Sequence, residues 1–252
     1  MTQIVTLITG ASAGLGADFA RQCAAQGERL VLVARRRNEL EALATELGTA
    51  RALVMDLGES GAAAAVMADV AANGETVGTL INNAGFGLWG KFVALDGPRQ
   101  RAMIDLNIGT LVELCHAVLP GMLERGSGAI LNVASTAAFQ PGPGMATYFA
   151  TKAFVLSFTE ALHEEVASKG IKVTALCPGP TKTEFGEVAG FTANGAFDKI
   201  SAKSEDVVAM GLKALDAGRA VAIPGLVNKA GAQGHRLLPR WLLRKVTASI
   251  KN

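Results

Sequence analysis

Cysteine, histidine, tyrosine and long apolar runs are all scarce in this chain, and each scarcity excludes something. The three cysteines, Cys23, Cys115 and Cys177, are odd in number and far apart. No disulfide framework follows from them, and the apolar neighbours of Cys115 and Cys177 mark those two as packed thiols. His116, His163 and His235 have no ligand spacing between them, so no metal site is expected. The net charge of +2 is too small to point to a nucleic-acid partner. The start, Met1-Thr2-Gln3-Ile4, has neither a basic segment nor a long apolar stretch, and no run reaches the length of a membrane span. A cytoplasmic location is the expectation. No linker rich in Pro, Ser or charge divides the 252 residues, and no internal repeat is visible. With 50% of residues apolar there is enough for one large core, so residues 1–252 are read as one domain.

What is present is an alternation. Strand-like apolar runs at 4–8, 29–34, 51–55, 79–82, 128–134, 171–177 and 219–223 are separated by helical stretches. This pattern predicts an α/β fold: one Rossmann-like, doubly wound parallel sheet of about seven strands with helices on both faces. The alanine-heavy stretch Ala62 to Ala72 reads as helix.

The single tyrosine, Tyr148, stands four residues before Lys152, and Ser135 lies thirteen residues upstream of it. Tyr and Lys at i, i+4 share one helix face. A lysine ammonium there is expected to pull the phenol below its free value of about 10. Such a phenol exchanges a proton with a substrate oxygen near neutral pH, the acid–base half of carbonyl–alcohol chemistry.

At the other end, the run Ile4 to Ile8 leads into Thr9-Gly10-Ala11-Ser12-Ala13-Gly14-Leu15-Gly16 and then a helical pattern. A strand, a glycine-rich turn and a helix N-terminus form a phosphate cradle. Gly10 permits the tight turn, Gly14 lets backbone approach phosphate, and Gly16 lets helix pack on strand. The second strand run ends at Ala34, followed by Arg35-Arg36-Arg37. Where NAD-binding sheets place a carboxylate for the ribose 2′-hydroxyl, this chain has Ala34 and then Arg35. A guanidinium fork there favours a 2′-phosphate, hence NADP(H). Arg36 and Arg37 read equally as phosphate contacts or as the solvated first turn of a helix.

These pieces resemble the short-chain dehydrogenase/reductase family over nearly the whole length. They are Thr9-Gly10-x-x-x-Gly14-x-Gly16, Asp56-Leu57, Asn82-Asn83-Ala84-Gly85, Asn107, Ser135, Tyr148-x-x-x-Lys152 and Pro178-Gly179-x-x-x-Thr183. In detail the chain is similar to the 3-oxoacyl and steroid-type reductases. The resemblance implies that Asp56 and Leu57 meet the adenine, that Asn83 and Ala84 run under the adenosine ribose, and that Gly85 is also at the cofactor. It puts Ser12 at that ribose or its 2′-phosphate, and Leu15 with the glycines at the cofactor. Pro178, Gly179, Thr181 and Thr183 would hold the nicotinamide and its phosphate. Asn107, Ser135, Tyr148 and Lys152 would form the catalytic group. There Lys152 also meets the nicotinamide ribose, Ser135 bonds the substrate oxygen, and Asn107 supports Lys152 through water. Two rival readings keep the fold. A silent NADP-binding sensor would be marked by loss of the Tyr or Lys, and neither is lost. The other is a membrane-surface reductase of lipid carbonyls.

The substrate is expected to be a small apolar carbonyl or alcohol. A loop over about 184–204, with Phe185, Val188, Phe191 and Phe197, should cover the pocket, and Phe86, Leu88, Trp89, Phe139 and Pro143 should line its mouth. The tail 235–252 is basic and amphipathic around Trp241, Leu243, Arg240 and Arg244. Such a tail packs on its own domain or a neighbouring subunit, and membrane contact is the less favoured alternative. Long helices at 99–125 and 147–169, with outward apolar stripes, imply by resemblance a homodimer or homotetramer.

Overall fold

The computed structural model describes residues 2–190, 201–234 and 239–249. The expectations at Phe191, Phe197, His235, Leu237 and Leu238 lie outside these residues. In chain order the elements are β1 (Gln3–Thr9), α1 (Gly14–Ala25), β2 (Leu30–Ala34), α2 (Arg37–Leu47), β3 (Ala50–Val54) and α3 (Ala62–Ala72). β4 (Glu75–Asn82), α4 (Gly97–Ile104), a π turn (Asp105–Thr110), α5 (Leu111–Arg125), β5 (Gly128–Val133) and α6 (Ala146–Val166) follow. The remainder is β6 (Ile171–Leu176), the short α7 (Phe185–Ala189), α8 (Ser204–Asp216), β7 (Val221–Ala222), α9 (Leu226–Gly234) and α10 (Arg240–Ser249).

The strands form one seven-stranded parallel sheet in the order β3-β2-β1-β4-β5-β6-β7. Side chains alternate across it with period two. Leu7, Leu80, Ile130 and Val173 face a core completed by Val66 of α3, Leu114 of α5 and Val155 of α6. Their neighbours Ile8, Ile81, Leu131 and Leu32 face a second core with Phe19 of α1, Leu40 of α2 and Val207 of α8. Burial on both faces is why the strands read as continuous apolar runs.

All seven expected strands form, with shifted ends. β4 starts at Glu75, four residues before the expected run, because Arg51 clamps the Glu75 carboxylate with bonds of 3.0 and 2.7 Å and the backbone pairs Gln3 with Glu75. β7 contracts to two residues at the sheet edge. The expected helix 99–125 is longer, Gly97–Arg125, and carries the π turn. Its N-cap is Asp96, whose Oδ2 accepts from the Arg99 N–H at 2.9 Å.

Two expectations are corrected by this helix. It is 29 residues and apolar enough to cross a membrane by length and composition, although no run of that length was expected. Its place is against the sheet, where Met103, Leu111, Leu114, Cys115, Val118 and Met122 are buried. The outward apolar stripes are also thin. On these helices the exposed large apolar side chains are Ile104, Leu123 and Phe154, because most apolar positions are used by the sheet-facing side.

Below the site a polar column crosses the apolar interior. Asn82 Nδ2 donates to Asn132 Oδ1 at 2.9 Å, and Asn132 Nδ2 donates to Thr159 Oγ1 at 3.0 Å. It ties β4 to β5 and β5 to α6, and Asn132 is wholly buried. Asn132→Ala strands the Asn82 and Thr159 groups. It should lower unfolding free energy by about 1–3 kcal/mol, the range for leaving buried polar groups unpaired. Urea unfolding with an unchanged slope is the measurement, and a loss within about 0.5 kcal/mol, as at an ordinary surface position, would show that the column carries little.

Candidate active site

The sheet order reverses between β1 and β4, so the chain leaves these neighbouring strands toward opposite faces and a crevice opens at their C-terminal ends. The loops there are knotted together. Thr9 Oγ1 accepts the backbone N–H groups of Asn83 and Ala84, each at 3.0 Å. Asn83 Nδ2 in turn donates to the carbonyls of Thr9 and Gly10 at 3.0 and 3.1 Å. Gly10 has φ +65°, and a Cβ on it would stand 2.9 Å from Ala84 Cα. A Cβ on Gly16 would lie 2.1 Å from the Gly10 carbonyl oxygen, so no side chain fits where α1 crosses the turn.

A cleft of about 380 Å³ runs along this line. Gly10, Gly14, Leu15 and Asn83 to Gly85 line one end, and Ser135, Tyr148, Lys152, Pro178, Gly179, Thr181 and Thr183 the other. The N-terminus of α1 carries no side-chain cap and no acidic residue in its first turn, leaving its N–H groups for an anion. A dinucleotide with a pyrophosphate at α1 fits this set.

The arginines divide. Arg35 points at Asp56, with N···O 3.5 Å, and both are exposed. Asp56 also accepts from the Gly58 N–H at 2.9 Å, as a turn residue does. Arg36 lies over the glycine turn: its Nε donates to Ser12 Oγ at 3.2 Å and its Nη1 to Glu184 at 2.9 Å. Arg37 pairs with Glu41 along the exposed side of α2. Leu57 is buried and its carbonyl accepts from Thr110 Oγ1 at 2.5 Å.

Tyr148 and Lys152 are one turn apart on α6 and only 9% and 6% exposed. Ser135 lies two residues past the end of β5 and caps the turn that follows; its Oγ accepts from the Ala137 N–H at 3.1 Å. Lys152 Nζ donates to the Val133 carbonyl at 2.7 Å and sits 5.8 Å from the Tyr148 ring centroid. Asn107, in the π turn, is 1% exposed. Its amide is held by the backbone N–H and C=O of Phe86 at 3.1 and 3.0 Å and donates to Thr151 Oγ1 at 3.1 Å. Asn107 thus meets Phe86 and Thr151 directly, with Gly85 between it and Lys152. A Cβ on Gly85 would lie 2.8 Å from Asn107 Oδ1 and 3.7 Å from Lys152 Nζ.

Electrostatics reverse one expectation. Burial pushes the Tyr148 phenol up to about 12, with a hydrogen bond to Ser135 pulling partly the other way. Burial pushes Lys152 down to about 8. The expected lowering of the phenol by its lysine is absent because the ammonium bonds a carbonyl and not the hydroxyl, while the whole turn is withdrawn from water.

The pocket wall beside Tyr148 is apolar. Met145, Phe149, Phe185 and Val188 line it, with Gln140 as a polar side chain. Phe185 is 5.2 Å from the Tyr148 ring, centroid to centroid. Of the expected mouth residues, Phe86, Leu88 and Trp89 belong to the cluster around Tyr148, while Phe139 packs on the sheet core. Met145, Phe149, Gln140 and the clamping role of Thr9 were missed. Met145 stands three residues before Tyr148, a helix-face spacing that could have marked it.

The family model for short chain dehydrogenase matches residues 4–192. Sulfoacetaldehyde reductase 2 of Chromohalobacter salexigens is 39% identical over 186 residues, covering 72% of this chain and 74% of that protein. Very-long-chain 3-oxoacyl-CoA reductase of Bos taurus is 29% identical over 249 residues, 95% of this chain and 77% of that protein. A short-chain dehydrogenase from Sphingobium yanoikuyae, solved in complex with NADPH, superposes with a TM-score of 0.83 at 36% identity and covers 93% of each chain. With a parallel sheet reversing at β1 and β4, a glycine turn at the reversal and a serine, tyrosine and lysine at the far end of the cleft, this chain belongs to the short-chain dehydrogenase family and is an oxidoreductase of the CH–OH/C=O type.

Proposed function

We propose that the protein is an NADP(H)-dependent oxidoreductase that interconverts an apolar carbonyl compound and its secondary alcohol. The observation that carries this is the convergence of Ser135, Tyr148 and Lys152 on one apolar wall of the cleft that opens at the glycine turn. When bound, the nicotinamide supplies or accepts the hydride. Ser135 hydrogen-bonds the substrate oxygen and stabilises charge that develops there. Tyr148 gives that oxygen a proton in reduction and removes one in oxidation. Lys152 holds the nicotinamide ribose, and Asn107 positions the turn of α6 that carries both residues through Thr151, whose Oγ1 donates to the Tyr148 carbonyl at 2.7 Å. Met145, Phe149 and Phe185 exclude water from the reacting carbon. The working location is the cytoplasm.

The cofactor preference rests on Ala34 and the adjacent Arg35 and Arg36. Arg36 donates to Ser12 of the glycine turn, and Arg35 flanks Asp56. NADPH should bind more tightly than NADH by about 1.5–3 kcal/mol, the strength of charge-assisted bonds. Arg35→Ala and Arg36→Ala should each remove part of this margin while leaving NADH binding nearly unchanged. Titration of cofactor fluorescence measures it, and equal affinities in the unaltered protein would refute the NADP assignment.

Tyr148→Phe keeps the ring packing and loses one oxygen. Cofactor should still bind, and turnover of a ketone should fall by roughly 10²–10⁴-fold. Near-normal turnover would overturn the mechanism.

The phenol's raised value gives a pH dependence of definite sign. With Tyr148 pushed up to about 12 by burial, it is protonated at neutral pH. Reduction uses the protonated form, so it is available below that value and lost above it. Oxidation uses the phenolate and gains rate as pH rises. Tyr148 is the chain's one tyrosine, so ultraviolet absorbance of the cofactor-free protein follows it alone once the tryptophans are subtracted. Its titration should lie above the ordinary value of about 10; a midpoint below 10 would show that burial does not govern the site.

A homodimer or homotetramer is the assembly we infer. Exposed Ile104, Leu123 and Phe154 support it, the last with its ring stacked on Phe158 at 5.9 Å. Light scattering should give a particle larger than 26.0 kDa; a monomer at micromolar concentration would count against it.

A further inference from the structure

The end of the chain is charged unlike the rest. From Ala217 to Asn252 there are seven Lys and Arg residues and no Asp or Glu, whereas the whole chain carries a net charge of only +2. Residues 1–216 are therefore net acidic, and the positive charge is gathered in one segment. Such segregation points to an anionic partner.

The last helix of this segment, α10, has two faces. Leu243 and Thr247, one turn apart, are buried and define its inner side. The outer side shows Arg240, Arg244 and Lys245, with Trp241 among them at 55% exposed. Lys245 Nζ lies 5.7 Å from the Trp241 ring centroid. At the start of α9, in the same acid-free segment, Leu226 and Val227 are 87% and 86% exposed. Asn228, the next residue, packs against Gly179 of the cleft.

We propose that this basic, tryptophan-bearing outer face of α10 docks the enzyme on an anionic lipid surface. Cations alone would suit any polyanion. Exposed Trp241 and Val246, on the same helix as the cations, suit the headgroup boundary, where an indole ring sits half in water and half in hydrocarbon. A two-fold contact between copies through this face would set like charges against each other. Leu243 and Thr247 are turned away from water; docking uses the side they leave outward.

The test is co-sedimentation of the full chain with phosphatidylcholine vesicles, with and without phosphatidylglycerol. Binding is expected only with phosphatidylglycerol, falling as salt rises. Tryptophan fluorescence should shift to the blue on binding, and Trp241→Ala should abolish the shift. The double variant Arg244→Gln, Lys245→Gln should weaken binding roughly 25-fold at low salt, about fivefold per cation, with an unchanged thermal midpoint as the control for folding. No binding to phosphatidylglycerol vesicles, equal binding to neutral ones, or full binding by the double variant would overturn the proposal. It would also fall if the protein bound duplex DNA as tightly as vesicles with no blue shift, or if the double variant turned an oligomer into a monomer without altering vesicle binding.

Discussion

The bonds between Thr9 and Asn83 hold together the place where the sheet changes direction. At that reversal no helix covers the strand ends, because successive connections go to opposite faces. Two loops are therefore left side by side over an open crevice. The Thr9 hydroxyl serves two backbone N–H groups of the second loop, and the Asn83 amide serves two carbonyls of the first. Each loop supplies what the other would otherwise lack. The glycine turn, the free N-terminus of α1 and the wall from Asn83 to Gly85 all take their positions from this exchange.

The catalytic turn of α6 is placed by a different device. An apolar helix face packs well in several rotations of similar energy, but a buried amide satisfies its partners in few. Asn132 fixes α6 at Thr159, and Asn107 fixes it at Thr151, two turns closer to Tyr148. Between them lie Val155 and Leu156, which fill the core without setting an angle. Polar groups give the alignment and apolar groups the adhesion. The same withdrawal from water that makes these amides effective also moves the ionisations of Tyr148 and Lys152 toward their neutral forms.

Much of this was legible in the residues. Seven apolar runs became seven strands in one sheet, and the glycine turn, Ser135, Tyr148 and Lys152 met along one cleft. What escaped has physical reasons. The start of β4 was hidden by Glu75 and Gly78, which do not look like strand until Arg51 is seen to neutralise the glutamate. The direction of the phenol's shift was missed because an i, i+4 spacing tells that Tyr148 and Lys152 share a face, not that the face is buried or that the ammonium is taken by Val133. Arg35 and Arg36 are adjacent in sequence, yet one goes to Asp56 and the other to Ser12, and no periodicity separates them. The pocket wall of Met145 and Phe149 was overlooked for the opposite reason: core-like residues beside a catalytic tyrosine give no signal of their own.

The π turn at Asp105–Thr110 can be considered as a change of gear. Each residue of an α-helix turns the chain by about 100°, so a helix whose buried stripe is set by the sheet has its angles already assigned. A π turn admits one residue beyond that assignment. Asn107 is thereby aimed into the site, while Leu111, Leu114, Cys115 and Val118 beyond it return to the core side. The helix serves two masters at different angular settings, and the join between them is a few residues long. Shortening that join by one residue would restore a smooth spiral that keeps the stripe of α5 in mesh with the sheet but turns Asn107 away from the site. Length in this short segment is thus as tightly held as chemistry is at Asn107 itself.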